Sequence, residues 1–247
     1  MNVLIIGESC LDVYHYGDCS RLCPDAPVPV FESIHTIENG GMAQNVKSNV
    51  EKINPNLKLT LITNDNWTKI KKTRFVEEKS NHMFLRVDEL DDKYNKLSDD
   101  LLENINFDNY DAVLVSDYNK GFVSIDQLMF ISDKSKLSFI DTKRPIDSWI
   151  KKFSFIKLNY SEYLNSEKYL NQHNHNLIVT KGKLGCVYQN KNFPVEKVQV
   201  KDTSGAGDTF ISGLVCEYLK TSDIVKSIKF AQECATIVVQ KQGVCTI

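Results

Sequence analysis

The chain has 247 residues, of which 42% are hydrophobic and 25% are charged, a composition that lets a globular protein bury a full core. Its 30 basic and 32 acidic residues give a formal net charge of −2, which argues against nucleic acid or an anionic membrane as a partner. We therefore expect its ligands to be small anionic molecules.

No apolar run approaches the ~18–20 residues that a membrane span needs, and Glu8 and Asp12 follow the first apolar residues at once. We therefore expect a cytoplasmic protein that makes no contact with a membrane. The cysteines are scattered without the spacing of zinc ligands, so free thiols are expected at Cys10, Cys19, Cys23, Cys186, Cys216, Cys234 and Cys245.

Apolar patterns predict short strands that alternate with helices along most of the chain. The predicted strands are residues 2–7, 58–63, 110–116, 137–140, 153–157 and 176–180. The predicted helices are residues 42–53, 125–135 and 161–170 and a further helix that begins near Ala206. This alternation is typical of an α/β fold in which helices cover both faces of a mostly parallel central sheet.

Two stretches break the alternation. Residues 11–32 contain three prolines, and residues 70–87 alternate with the period of a strand. No Gly/Ser-rich linker separates either stretch from the rest of the chain. We therefore expect a single domain over residues 1–247, with a small β-sheet lid formed by about residues 11–36 and 68–90. A pair of edge hairpins without a moving part is the alternative.

Residues 202–213 read Asp-Thr-Ser-Gly-Ala-Gly-Asp-Thr-Phe-Ile-Ser-Gly, which places two glycines and a carboxylate where a loop turns into a helix. A helix that begins near Ala206 leaves the N–H groups of Gly205, Ala206 and Gly207 unpaired, and glycine lets a phosphate approach the backbone. Asp208 is predicted to be a general base that accepts a hydroxyl proton. The alternative is a first-turn carboxylate that complements the helix dipole. The pattern as a whole indicates phosphoryl transfer.

The chain resembles the ribokinase-like (PfkB) carbohydrate kinases over nearly its whole length, with the shared motifs in the same order. These motifs are residues 7–12, 16–17, 20–21, 24–30, 40–46, 114–121, 141–143, 159–162, 179–185 and 202–208. The Arg-x-x-Pro-x-Ala-Pro-Val-Pro-Val motif at residues 21–30 and the Ser-Asp-Tyr-x-Lys-Gly motif at residues 116–121 are most similar to the heptose-7-phosphate kinases, the kinase half of bifunctional enzymes of ADP-heptose synthesis. The resemblance implies a three-layer ribokinase-like fold with a lid. It also implies ATP-dependent phosphorylation of the anomeric hydroxyl of D-glycero-D-manno-heptose 7-phosphate to the 1,7-bisphosphate.

The resemblance implies that Asp208 takes the proton of the sugar hydroxyl while Gly205, Ala206 and Gly207 hold the transferred phosphoryl group. The sugar contacts that it implies are Asp12, Gly40, Gly41, Asn45, Asp117, Lys120, Lys143, Arg21 and Arg74.

Several of these residues have an ordinary structural alternative. Asp12 could be a turn or capping aspartate. Gly40 and Gly41 predict a flexible turn before a helix, where backbone groups and the Asn45 amide approach a polyol, or else ordinary turn chemistry. Lys120 and Lys143 follow apolar strands, at the edge where open α/β sheets bind ligands, or are solvated. Arg21 and Arg74 lie in the predicted lid, where an arginine fork suits a phosphate on the distal end of the sugar.

For the nucleotide, the resemblance implies ATP with Mg²⁺ and leaves open whether a monovalent cation is needed. Asn159 and Glu162 would organise the metal and the triphosphate, with Glu162 acting through water. The same two residues also form the pattern of a helix capping box, and one pair can serve both roles. Residues placed at the nucleotide pocket, with plain turns as the alternative, are Thr180, Lys181, Gly182, Gly185 and Gly243.

The chain departs from the heptose kinases at several positions. Met42, Gln44 and Lys47 stand where that group has small residues, which bears on sugar specificity. Only about ten residues separate Thr63 from Arg74, where relatives have a helix and a further strand, so we expect a piece of the fold's edge to be missing. The chain carries no adenylyltransferase half, so nucleotide transfer to the sugar is not expected of it.

Three other functions compete with the heptose kinase. Another PfkB-type sugar or sugar-phosphate kinase is the nearest. The shortened 64–73 segment motivates a catalytically weak pseudokinase that binds ligand as a subunit or regulator, but the intact Asp208 and anion loop argue against it. A dinucleotide oxidoreductase is excluded, because Gly7-Glu8-Ser9-Cys10 lacks the Gly-x-Gly-x-x-Gly turn. We also expect a homodimer through the lid, which would bury Val28, Val30, Phe75 and Phe84.

Overall fold

A computed structural model of the chain describes residues 1–166, 176–241, 243 and 246–247. The strands of these residues are β1 Asn2–Gly7, β2 Ser9–Leu22, β3 Pro29–Met42, β4 Lys58–Ile62, β5 Lys71–Glu77, β6 His82–Glu89, β7 Ala112–Asp117, β8 Ser138–Thr142, β9 Phe155–Asn159, β10 Leu177–Thr180, β11 Cys186–Tyr188 and β12 Lys191–Phe193. The α-helices are α1 Ala43–Ile53, α2 Asp99–Glu103, α3 Ile125–Lys134, α4 Tyr160–Asn165, α5 Ala206–Thr221 and α6 Ile224–Val238.

The main sheet has eight strands in the order β12-β11-β10-β9-β8-β7-β1-β4. Every pairing from β10 to β4 is parallel, and β11 and β12 continue the sheet as antiparallel strands. The carboxyl ends of β1, β7, β8 and β9 therefore meet at one edge, which is where open parallel sheets bind ligands.

Side chains of the parallel strands alternate between two apolar layers. Leu4 and Ile6 of β1 pack on one face with residues of α2 and α3, whereas Val3 and Ile5 pack on the other with α1, α5 and α6. Because each β-residue points to the side opposite its neighbours, a strand covered on both faces is apolar throughout, as β1 is. The predicted three-layer α/β fold is confirmed.

The predicted elements are confirmed with shifts of one to two residues at most ends. Met42, for example, was predicted to begin the first helix, but it ends β3, and α1 begins one residue later. The helix predicted over residues 161–170 is present as α4 up to Asn165, and residues 167–170 lie outside the described part of the chain. Free thiols are found at the six described cysteines, and Cys245 lies outside the described residues.

A second, smaller sheet is formed by the two stretches that break the alternation. Its four strands lie in the order β3-β2-β5-β6, with β2 antiparallel to β3 and parallel to β5. The chain leaves the core along β2, which begins at Ser9, and returns along β3, which ends at Met42 beside Ser9.

The flexible turn predicted at Gly40 and Gly41 is wrong, because both glycines belong to β3 and neither has a positive φ. Close packing explains them instead. A Cβ on Gly41 would lie 2.2 Å from Asp12 Oδ2, and a Cβ on Gly40 would lie 2.4 Å from Gln44 Cβ. Glycine at position 41 thus lets the Asp12 carboxylate lie against the backbone of β3.

The segment between β4 and β5 is short, as expected. It holds a single 3₁₀ turn, Trp67–Lys69, and β4 is the last strand of the main sheet. Within the described part of the chain, no helix combines the length and the apolar character that crossing a bilayer requires.

Candidate active site

Polar side chains converge on a cavity of about 240 Å³ between the carboxyl edge of the main sheet and the start of α5. The residues that line it are Asp117, Tyr118, Asp141, Lys143, Lys157, Asn159, Glu162, Thr203, Gly205, Gly207 and Asp208. Seven of these are residues that the sequence predicted for the site. The cavity therefore joins the predicted anion loop to the ends of β7, β8 and β9.

The anion loop is formed by Gly205 and the first turn of α5. Gly205 has φ 76°, a left-handed conformation that favours glycine, and it caps the helix with its backbone. The prediction of three free amides needs one correction, because Ala206 N–H donates to the Thr203 carbonyl at 3.3 Å. Within the described residues, the N–H groups of Gly205 and Gly207 make no hydrogen bond. These two amides remain available for an anion at the positive end of a 16-residue helix.

Asp208 points into the cavity from the first turn of α5 and is only 5% exposed. Its Oδ1 accepts a hydrogen bond from the Tyr118 hydroxyl at 2.7 Å, and its Oδ2 accepts one from Asn45 Nδ2 at 2.8 Å. Burial raises the pKa of Asp208 to about 6, and the two hydrogen bonds partly offset that rise. The carboxylate thus accepts a hydrogen bond from one hydroxyl group, the geometry that a general base needs toward a substrate hydroxyl. Its raised pKa is close to the value that suits a general base at neutral pH.

A polar seam between α1 and α5 fixes Asp208. Asn45 and Asn49 lie one turn apart on α1, and Asn49 Nδ2 donates to the Asn45 carbonyl at 2.9 Å. From α5, Thr209 Oγ1 donates to Asn49 Oδ1 at 3.1 Å, and Ser212 Oγ donates to the Val46 carbonyl of α1 at 3.1 Å. Because these amides and hydroxyls are buried and paired with one another, they hold the two helices in one register.

The turn after β7 is built around two buried carboxylates. Asp117 accepts hydrogen bonds from Thr142 Oγ1 at 2.6 Å and Arg144 Nε at 2.7 Å, and Glu8 accepts the backbone N–H groups of Tyr118 and Lys120 at 2.9 Å. Burial, and then the charge of Asp117, raises the pKa of Glu8. Both carboxylates thus hold the turn in place. Asp117, predicted to contact sugar, lines the cavity with its oxygens engaged in this turn.

Tyr118 and Lys143 form one wall of the cavity. The Lys143 ammonium lies 3.7 Å from the centre of the Tyr118 ring, a cation–π contact. Burial lowers the pKa of Lys143, while the charges of Asp208 and Asp141 oppose that effect. Lys143 thus places a desolvated cation on the same side of the cavity as the Asp208 carboxylate.

Asn159 and Glu162 form the predicted capping box at the start of α4. Asn159 Oδ1 accepts Glu162 N–H at 2.9 Å, and Glu162 Oε2 accepts Asn159 N–H at 2.6 Å. Burial, and then the charge of Asp141, raises the pKa of Glu162. The capping box uses only one carboxylate oxygen, so Glu162 keeps its other oxygen for a water or a metal.

A magnesium ion held through water fits this donor set. Over the described ranges, no cluster of three His, Cys, Asp or Glu could bind a metal by itself. Magnesium usually takes one or two carboxylates together with waters and substrate phosphates. Glu162 in the cavity wall meets that need, whereas a site built from protein ligands alone does not form here.

A second polar cluster lies where the second sheet meets the core. Arg74 Nη1 donates to Asp12 Oδ1 at 2.5 Å, and both side chains are nearly buried. Asp91 bridges two lysines, at 3.2 Å from Lys72 Nζ and 2.5 Å from Lys120 Nζ. Burial alone would raise the pKa of Asp91, but the Lys120 hydrogen bond and the Lys72 charge lower it. Three cations thus face two carboxylates, which leaves the cluster with a net positive charge.

The other predicted site residues lie elsewhere. Arg21 is exposed near the far end of β2 and pairs with Glu32 at 3.2 Å. Residues 180–185 form the turn between β10 and β11, in which Lys181 N–H donates to the Gly185 carbonyl at 2.7 Å. A Cβ on Gly243 would lie 2.8 Å from the Tyr16 hydroxyl, which places Gly243 against the second sheet. None of these residues lines the cavity.

Sequence reasoning missed several residues of the cavity and of the second polar cluster. Lys157 and Asp141 line the cavity, and Lys72 and Asp91 belong to the second cluster. Two signals were available for the lysines. Lys157 interrupts an otherwise apolar strand, and Lys72 shares the period-2 face of β5 with Arg74. Asp141 belongs to the 141–143 motif of the family resemblance, which was used only for Lys143, and Asp91 carries no such signal.

Comparison with known proteins places this arrangement among carbohydrate kinases. The family model described as "pfkB family carbohydrate kinase" matches residues 56–247. The bifunctional protein HldE of Helicobacter pylori strain J99 is 27% identical over 292 residues, covering 98% of this chain and 63% of that protein. The chain therefore spans about three fifths of the length of this curated relative. The alignment is longer than the chain, so the relative carries residues that this chain lacks.

Solved structures share the fold at low sequence identity. Ribokinase from Thermotoga maritima superposes with a TM-score of 0.71 at 17% identity, covering 98% of this chain and 94% of that one. Ribokinase from Arabidopsis thaliana, solved in complex with ribose and ATP, gives a TM-score of 0.66 at 13% identity, covering 98% and 93%. Both similarities extend over essentially the whole chain.

Proposed function

Because the chain belongs to the pfkB family of carbohydrate kinases, and so is an ATP-dependent carbohydrate kinase, we propose that its substrate is a sugar phosphate. The proposed reaction transfers the γ-phosphoryl group of ATP to the anomeric hydroxyl of a heptose 7-phosphate and yields the 1,7-bisphosphate. Asp208 beside the open amides of Gly205 and Gly207 is the observation that carries the phosphoryl transfer.

In this proposal the carboxylate of Asp208 accepts the proton of the attacking hydroxyl. The Gly205 and Gly207 amides and the positive end of α5 stabilise the negative charge of the phosphoryl group in transit. The Tyr118 hydroxyl now holds Asp208 Oδ1 at 2.7 Å, and the sugar hydroxyl would take over that hydrogen bond.

The cationic cluster of Lys72, Arg74 and Lys120 supports a substrate that already carries a phosphate. Lys72 is only 7% exposed, and a buried lysine is rare unless its charge is paired. Lys72 is close enough to the cavity that its positive charge contributes to lowering the pKa of Lys143. A sugar with its reacting hydroxyl near Asp208 would therefore have its distal phosphate near this cluster. The similarity to HldE proteins favours a heptose as that sugar.

Magnesium and the second sheet complete the proposed enzyme. Glu162 would hold Mg²⁺ through water, and the ion would neutralise phosphate charge on ATP. The second sheet would act as a lid that excludes water from the reacting phosphate. Asn81, in the turn between β5 and β6, supports this because its amide donates to the Lys201 carbonyl at 2.9 Å, close to the anion loop.

The test of the proposed function is a panel of acceptors incubated with ATP and Mg²⁺. The panel contains heptose 7-phosphate, the same heptose without phosphate, and phosphorylated and free hexoses, and ADP formation is measured. The proposal expects the highest kcat/KM for heptose 7-phosphate. Turnover of unphosphorylated hexoses alone would overturn the sugar-phosphate assignment, whereas turnover of a different sugar phosphate would overturn only the heptose.

The pH dependence of turnover follows from the raised pKa of Asp208. A base must be deprotonated to act, so kcat should rise about tenfold per pH unit up to about 6 and then level off. ATP and sugar phosphate also ionise near pH 6. The Asp208→Asn variant keeps those substrate ionisations, so the rise of its residual kcat with pH below about 6 should be less steep than in the wild type. If kcat of the variant rises with pH in the same way as that of the wild type, Asp208 does not cause the rise.

We infer that the protein forms a homodimer through the second sheet. Apolar side chains on this sheet are widely exposed, among them Ile34 at 60%, Leu85 at 54% and Met83 at 49%, and Val28, in the turn between β2 and β3, is 50% exposed. Burying such a face against a second copy is favourable at about 25 cal/mol per Å² of apolar surface. The mass in solution should be twice the 28.2 kDa of one chain, and light scattering after gel filtration measures it. A monomer at assay concentration would contradict this inference.

A further inference from the structure

Lys157 is a buried lysine in the middle of an apolar strand. It lies in β9, between Ile156 and Leu158, and is 4% exposed. A lysine side chain loses substantial hydration and rotamer freedom when it is buried, so a lysine is rarely buried unless an interaction with an opposite charge compensates this cost. Its ammonium group lines the cavity that contains Asp208.

The partner is Asp141 of the neighbouring strand β8. Lys157 Nζ donates to Asp141 Oδ2 at 2.7 Å, and the two residues face each other in the parallel register of β8 and β9. Burial alone would lower the pKa of Lys157, but the Asp141 charge outweighs it and raises the pKa. The side chain is therefore a permanent cation at neutral pH.

The same ammonium lies against the anion loop. A Cβ built on Gly207 would be 3.0 Å from Lys157 Nζ and 3.8 Å from Asp141 Oδ2, and among the described residues outside its own helix no other atom lies within 4 Å of that point, apart from its chain neighbours. Glycine at position 207 thus leaves room for the lysine as well as for a ligand. The cation and the two open amides of Gly205 and Gly207 face the same part of the cavity.

Two positive groups, the Lys157 ammonium and the first turn of α5, lie together in this part of the cavity, and Asp141 compensates one of them. The first turn of α5 carries about half a positive charge, so a cation beside it is repelled. Asp141 neutralises the lysine, but a buried ion pair contributes little net stability compared with apolar residues of the same size. A doubly or triply charged phosphate between the lysine and the amides would convert that repulsion into attraction.

We propose that Lys157 is a further catalytic residue, whose ammonium binds a non-bridging oxygen of the γ-phosphoryl group during transfer. This inference rests on the proposed function. The bond from the γ-phosphorus to the β–γ bridging oxygen breaks, the bond to the sugar oxygen forms, and the hydroxyl proton goes to Asp208. Lys157 keeps its proton throughout and offsets the charge on the transferred group, while Asp141 orients it.

The test compares Lys157→Met and Lys157→Gln with Lys157→Arg and with Lys151→Met, which removes an exposed lysine and serves as the control. Two quantities are measured for each: kcat with ATP and sugar phosphate, and the Kd of ADP and of a non-hydrolysable ATP analogue by calorimetry. A charge-assisted hydrogen bond is worth about 1.5–3 kcal/mol, or roughly 10- to 100-fold.

We expect Lys157→Met and Lys157→Gln to lose about 10- to 100-fold in kcat and to bind the ATP analogue about 10-fold more weakly or worse. Their ADP affinity should stay within about threefold, because ADP has no γ-phosphate, and Lys157→Arg should recover part of the loss. Unchanged kcat in folded variants, or equal losses for ADP and the analogue, would overturn the proposal. If the wild-type protein transfers no phosphate, the proposed function fails, and the binding data still decide the role of Lys157.

Discussion

The Asp208→Asn variant should lose about 10²- to 10⁴-fold in kcat, the range typical for removal of a general base. Asparagine keeps the shape of the side chain and an oxygen acceptor for the Tyr118 or Asn45 donor, but it cannot take a proton from the sugar hydroxyl. The Kd values for ATP and for the sugar phosphate should change by less than about threefold. Initial-rate kinetics and calorimetry on the same preparation separate these two effects.

Unfolding should not account for that loss. The folded pKa of Asp208, about 6, lies above its ordinary value of 3.8, so ionisation of this group costs stability as pH rises through that window. Asparagine carries no charge and escapes this cost, so the variant should melt at or above the wild-type temperature at neutral pH. A stable variant with wild-type kcat would show that Asp208 is not the base.

The Lys72→Met variant should raise KM for the sugar phosphate by about 10- to 100-fold, the value of one charge-assisted contact. The kcat/KM for the same sugar without its phosphate should stay nearly unchanged, because that substrate has no group for Lys72 to bind. The expected result is therefore a loss of preference for phosphorylated sugars rather than a general loss of activity.

Lys71→Met is the matched control, since Lys71 is the neighbouring residue on β5 and points to solvent. It removes the same charge from the same strand and should leave KM within about twofold. Lys72→Arg keeps the cation beside Asp91 and should retain much of the preference for phosphorylated over unphosphorylated sugars. If Lys72→Met folds normally and discriminates between the two sugars as the wild type does, the second cluster is not the phosphate site.

Much of the fold could be predicted because its signals are local. The apolar run of β1, the capping box of α4 and the glycine-rich start of α5 each depend on a few adjacent residues. The order of the eight strands depends on contacts between segments far apart in the chain, and the local patterns did not predict it. Gly40 and Gly41 show the limit of local reasoning, because the Asp12 carboxylate that requires Gly41 lies on another strand.

The candidate site was predictable to the extent that each residue carries its own signal. Asp208 and its glycines form a continuous run, and their cavity was expected at the carboxyl edge of the sheet. Ala206 N–H was expected to be free, but the Thr203 carbonyl takes it, and backbone pairing inside a loop is not visible in a sequence. The Lys157–Asp141 and Lys72–Asp91 pairs join residues from different strands or loops, so only the fold brings them together.

The most direct test of the account is ³¹P NMR of a reaction that contains the wild-type protein, Mg²⁺, ATP and heptose 7-phosphate. Equal amounts of ADP and of a new phosphate ester at the anomeric position are expected, with the 7-phosphate resonance retained. Asp208→Asn should form neither product on the same timescale. Wild-type protein that forms no new sugar phosphate with any acceptor, or an Asp208→Asn variant that forms it at the wild-type rate, would contradict the account.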